Sequence, residues 1–88
     1  MALKEITTSD GFKCTINPEL KDDFEFVEAM ADAQRGNLAA YFDVLDKLLG
    51  DQLKDLKEFV RNEEGIVKSD DIRREVEEIF AQLDESKN

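Results

Sequence analysis

Few side chains in this 88-residue sequence could do chemistry, and their spacing argues against it. Histidine is absent, which removes the commonest general base and metal ligand together. Cys14 is the single thiol, so no intramolecular disulfide can form. It alternates with Phe12 and Ile16, which places it on the apolar face of a strand as an inert buried thiol rather than a nucleophile. Three adjacent carboxylate pairs remain: Asp22-Asp23, Glu63-Glu64 and Asp70-Asp71. Neighbours on a helix diverge by roughly 100°, so such a pair does not close on one ion. Two of the pairs also stand where helix caps and first turns favour acids.

Two kinds of small acidic protein are excluded by particular residues. Residues 60–71 place Glu64, Gly65 and Val67 as a calcium-binding EF-hand loop would. Position 1 of that loop would however be Val60, and position 12 Asp71 instead of glutamate. A carrier of acyl groups needs a modifiable serine after aspartate at the start of its second helix; Asn37 stands there, and Ser69 follows Lys68. There is no P-loop, dinucleotide fingerprint, zinc spacing or catalytic triad. The expectation is a protein that is not an enzyme, with no catalytic, metal or cofactor-binding residues and no cofactor.

Composition points the same way. Twelve basic and twenty-two acidic residues give a net charge of −10, the opposite of the basic footprint that phosphate binding needs. No nucleic acid is expected as partner. No run of sequence approaches the roughly 18 apolar residues of a membrane span, and the N-terminus lacks an apolar leader core. A cytoplasmic protein without a membrane partner follows as an expectation.

The elements that position these residues read as one domain over 1–88: a β arm over 1–16, a helical bundle over 17–84 and a frayed tail over 85–88. Phe12, Cys14 and Ile16 alternate with Lys13 and Thr15 as a strand does. Glu5-Ile6-Thr7-Thr8 and the turn residues Ser9-Asp10-Gly11 supply the other half of a short hairpin, or a loose arm beside one strand. Asn17-Pro18-Glu19 is a helix start, with a break near Lys21-Asp22. Gly36 ends that helix and Asn37 caps the next, Leu38–Leu49. Gly50 and Asp51 form a stop and an N-cap. A third helix over 52–62 carries Leu53, Leu56, Phe59 and Val60. Ser69 caps a fourth, whose seam is Ile72, Val76, Ile79, Phe80 and Leu83. The fold class is mainly α: a compact four-helix bundle, or five with a short first turn, behind an N-terminal hairpin or strand. The first two helices should form its centre, with the third and fourth leaning on them.

The stretch 22–34 has more apolar surface than a peripheral helix needs. Leu20, Phe24, Val27 and Ala31 project within about 40° of one another, and Phe26, Met30 and Ala33 make a second patch displaced by over about 100°. An apolar stripe only a little over about 100° wide suffices for a surface helix. Either this helix is central or it keeps a face for a protein partner. The candidates for partner binding are Phe26, Met30 and Ala33, because methionine adapts its shape and aromatics carry interface energy.

The order of these features resembles one family. A strand with Gly11-Phe12 and Ile16 leads to an acidic helix entry from Glu19 to Asp23. A helix then ends in Leu48-Leu49-Gly50-Asp51-Gln52, and Glu64-Gly65-Ile66-Val67 precede a last amphipathic helix. Over roughly residues 11–83 this is similar to the small tail assembly chaperones of long-tailed, siphovirus-type phages and prophages of Gram-positive bacteria. Here the Gly36-Asn37 junction is shorter and less acidic than that pattern. The resemblance implies a non-enzymatic protein that binds the tape-measure protein during tail morphogenesis, shields its apolar helices, and is absent from the mature virion. It also implies self-association along the client, and a longer form made by ribosomal frameshifting. Ser86-Lys87-Asn88 is compatible with a slippery codon run at that point. The alternative from a different class is an acidic inhibitor that imitates nucleic acid and binds a basic host defence or DNA-binding protein. A third is a structural or regulatory subunit.

Overall fold

Alternation of apolar and polar residues in the first sixteen positions produces a two-stranded antiparallel hairpin. Its strands are β1 (Lys4–Thr7) and β2 (Lys13–Ile16), with Lys4 opposite Ile16 and Ile6 opposite Cys14. The computed structural model describes residues 3–85, and the side chains of 3–84. The frayed tail and the Ser86-Lys87-Asn88 expectation therefore fall outside the described residues, apart from Glu85, the last helical residue. Ile6, Phe12, Cys14 and Ile16 all point inward and are buried. This is how a hairpin too small to be stable alone becomes ordered.

Asn17 accepts from the Glu19 N–H at 3.0 Å and opens a 3-10 turn, Pro18–Asp22. The break foreseen near Lys21-Asp22 falls at Asp23, whose carboxylate accepts from the N–H groups of Glu25 and Phe26 at 2.8 and 3.1 Å. Asp23 thereby starts α1 (Phe24–Gln34) as a separate helix. Gly36, at φ +98°, reverses the chain, and the Asn37 side chain caps α2 (Leu38–Leu49) through the Ala40 N–H at 3.1 Å. Gly50, at φ +57°, allows α3 (Gln52–Val60) to follow at once. The last helix is α4 (Ser69–Glu85).

Several boundaries differ from the sequence reading for local reasons. The third helix stops at Val60, because Asn62 organises the next loop. Its carboxamide oxygen accepts from the N–H groups of Glu64 and Ile66, each at 2.9 Å. Asp51 sits in helical conformation and makes no capping bond with its side chain. Ser69 is already the first helical residue, and the carbonyl that receives the first bonds of α4 belongs to Lys68, from the N–H groups of Asp71 and Ile72.

The centre of the molecule also differs. It is built from α2, which buries Ala40, Val44, Leu45, Leu48 and Leu49, and from α4, which buries Ile72, Val76, Ile79 and Leu83, closed by the hairpin and Leu56. The first helix is peripheral, with Phe26 its one buried residue. A wide apolar arc on α1 was expected to mark centrality, but half of that arc faces solvent.

Both outer edges of the hairpin are covered by glutamine side chains. Gln52, at the start of α3, accepts from the Thr15 N–H at 2.8 Å and donates to the Thr15 carbonyl at 2.9 Å, copying the pairing of a third strand. It also donates to the Leu49 carbonyl at 3.2 Å. On the β1 side, Gln82 of α4 donates to the Thr7 carbonyl at 2.8 Å, and Lys4 donates to the Gln82 carbonyl at 2.9 Å. An unpaired strand edge is a template for association, and these contacts blunt it. Gln52→Ala should cost about 1–2 kcal/mol, read from denaturant unfolding, with faster hydrogen exchange at the Thr15 amide.

Candidate partner-binding surface

The three residues singled out from the sequence do not form one exposed patch. Phe26 is 1% exposed, and its ring lies 6.0 Å from that of Phe80 on α4. It is a core residue, which corrects its assignment to an accessible surface. Met30 is half-buried and lines, with Phe26 and Val27, a hollow of about 370 Å³ between α1 and α4. Ala33 is half-buried at the far end of the helix and belongs to a different depression. The face of α1 left bare carries Phe24 and Val27, 77% and 48% exposed. The reason for the inversion is that α4 reaches the Phe26 side of the helix and no element covers the Phe24 side.

The larger depression is a groove of about 500 Å³ between α2, α3 and the start of α4. Leu45, Leu53 and Ile72 line it, together with Val67 of the connector before α4. Leu38, Tyr41 and Phe42 of α2 stand along it. Leu38 and Phe42 are 66% and 54% exposed, and the rings of Tyr41 and Phe42 are 5.8 Å apart. Four residues apart, Leu38 and Phe42 share one side of the helix, and that side is covered at Leu45 and Leu49 but bare at the first two turns. By residue type and helical spacing Leu38 and Phe42 fall in line with Leu45 and Leu49 and look in sequence like core residues. The available signal was the width of the arc once Ala40 and Val44 are counted, too wide for one neighbour to cover. Burial raises the pKa of the Tyr41 phenol, opposed by the positive charge of Arg73.

A second surface is electrostatic. Glu25, Glu28 and Asp32 of α1 line a shallow hollow opposite Asp43 of α2; Lys47 lies 4.0 Å from Glu25, and Arg35 pairs with Asp32 at 3.2 Å. This acidic strip lies on the side of α2 away from Tyr41.

Two chemically suggestive groups are structural. Cys14 is buried, and desolvation pushes its thiol up to about 11, so it stays protonated at neutral pH. Glu75 is 1% exposed and neither carboxyl oxygen has a hydrogen bond of ordinary geometry. It faces the hairpin tip, beside Asp10 and Thr8, with the Arg74 Nε 3.9 Å away. Burial, then the neighbouring Asp10 side chain, raise the pKa of Glu75, while contact with Glu75 lowers that of Asp10. Glu78 fastens the same tip by accepting from the Ser9 N–H and hydroxyl at 2.5 and 2.9 Å.

Among the described residues, no group of three or more Cys, Asp or Glu could hold a metal ion, and no helix is long and apolar enough to cross a membrane. Comparison with protein-family models, curated proteins and solved structures gives no significant match to this chain.

Proposed function

We propose that this protein is a non-enzymatic tail assembly chaperone that binds the phage tape-measure protein and shields its apolar helices while the tail tube grows. The observation that carries the reading is the open groove of α2, α3 and α4, where Leu38 and Phe42 stand exposed on an otherwise well-packed helix. Surface leucine and phenylalanine side by side along an apolar trough suit a helix laid into a groove. The order of elements that resembles this family supports it as well. On this reading the protein acts in the host cytoplasm and leaves before the virion is complete.

The test is co-expression with the tape-measure protein. The intact chain should raise the client's soluble yield and co-purify with it. Phe42→Asp should abolish both while changing folding stability by less than about 1 kcal/mol. A soluble yield unchanged by the intact chain overturns the proposal.

A second reading is favoured by the acidic strip of Glu25, Glu28, Asp32 and Asp43. A line of carboxylates on one side is what imitation of a nucleic-acid backbone would use against a basic host protein. Binding that is lost in moderate salt and abolished by Glu28→Lys with Asp43→Lys, yet indifferent to Phe42→Asp, would select this reading instead.

A further inference from the structure

We infer that the α2–α3–α4 groove selects an amphipathic partner helix whose apolar stripe is edged by carboxylates. This rests on the groove being the client surface proposed above, and it adds the chemistry of the client. On a chain of net charge −10, the charged side chains lining the groove are both cationic: Lys57 from α3 and Arg73 from α4. No carboxylate lines it. Lys57 has no carboxylate partner among the described residues. Among the described residues Arg73 is paired with Asp70, three residues earlier, at 3.2 Å, with both side chains more than half exposed. Such a pair is weak and exchanges readily for a better one.

The net charge of −10 opposes the approach of an acidic partner. Local placement decides the matter. At physiological ionic strength, charges separated by more than about 8 Å in water are largely screened. A helix seated on Leu38, Phe42 and Ile72 would lie beside Lys57 and Arg73. The strip of Glu25, Glu28 and Asp43 lines a separate hollow between α1 and α2 and not the groove. The local cations therefore set the preference, and the global charge sets only the approach rate. Apolar contact supplies attraction for any amphipathic helix; the cations decide which flanking residues are accepted.

Two synthetic helical peptides of about 18 residues, long enough to hold a helix, test this. They share one leucine stripe and differ in flanks, glutamate in one and lysine in the other. Titrated into the full chain at low salt, the glutamate-flanked peptide should bind about fivefold or more tighter, with the gap closing near about 0.5 M salt. The double variant Lys57→Glu with Arg73→Glu should reverse the order. Equal affinities, tighter binding of the lysine-flanked peptide, or no binding of either overturns the inference. If neither binds and the chain instead self-associates in a way that Phe42→Asp abolishes, the occupant is a second copy. The proposed function fails separately: a client whose solubility depends on Phe42 but not on peptide charge leaves it standing and removes this refinement.

Discussion

Replacing Phe26 with alanine is expected to cost about 3–5 kcal/mol, whereas Phe24→Ala, two residues earlier in the same helix, should change stability by less than about 0.5 kcal/mol. The difference is in what surrounds the rings. Phe26 is sealed at 1% exposure against Phe80, Met30 and Leu83, so its removal leaves a cavity that a short peripheral helix cannot collapse. Phe24 is 77% exposed and loses almost no buried area. Because α1 contributes no other buried residue, Phe26→Ala should also loosen the helix as a unit. Denaturant unfolding gives both free energies, and hydrogen exchange along 24–34 reports the loosening. A Phe24→Ala cost equal to that of Phe26→Ala would show that the buried face has been assigned wrongly.

Glu75→Gln is expected to stabilise the protein at neutral and higher pH, by about 1–3 kcal/mol, the scale of a buried polar group without its partner. Glutamine has the shape of protonated glutamate and can donate to Asp10 without ever carrying charge. The pKa of Glu75 is raised above its ordinary 4.5 in the folded chain. The folded state therefore holds that proton more tightly than the unfolded state. Its contribution is complete below about pH 4.5 and is lost as pH rises through the higher folded value. Asp10 has the opposite sign: its folded pKa lies below 3.8, so its contribution is present above that value and lost as pH falls through the lower one. Wild-type stability should thus decline from mildly acidic toward alkaline pH, and Glu75→Gln should flatten that decline. The groups facing Glu75 (Asp10, Arg74 and Thr8) are unchanged in the variant, and Arg74 stays bonded to Asp10 and Asp71. Parallel pH profiles for the two proteins would refute the assignment.

Much of the architecture is legible in the sequence because the punctuation is local. Asn17-Pro18, Gly36-Asn37 and Gly50 each impose a turn or cap through their own backbone preferences, and the structure places boundaries at all three. The strand alternation of Phe12, Cys14 and Ile16, and the α4 seam from Ile72 to Leu83, are read correctly for the same reason: period alone identifies the inward side when only one side is apolar. On α1 both sides are apolar. Nothing within residues 22–34 says that Phe80, more than forty residues later, will choose Phe26 over Phe24. The groove is harder still to foresee. Leu38 and Phe42 have the composition of core residues, yet they stand 66% and 54% exposed at the rim of a groove that α3 and α4 line without closing. Gln52 and Gln82 carry no local signal, since an amide that caps a strand edge looks in sequence like any surface glutamine.

The hairpin lies against α4 through Lys4–Gln82, Thr7–Gln82 and Ser9–Glu78, contacts that span 78, 75 and 69 residues of chain. Strand β1 therefore gains these partners only once α4 has formed, whereas β2 already meets Gln52 and Phe12 meets Phe59 on α3. Contacts of such long sequence separation slow folding, because a long loop must close before they reward it. Truncation before Glu78 removes all three contacts and should loosen β1 from the bundle instead of merely trimming one helix, so the hairpin and α4 fold, and fail, together.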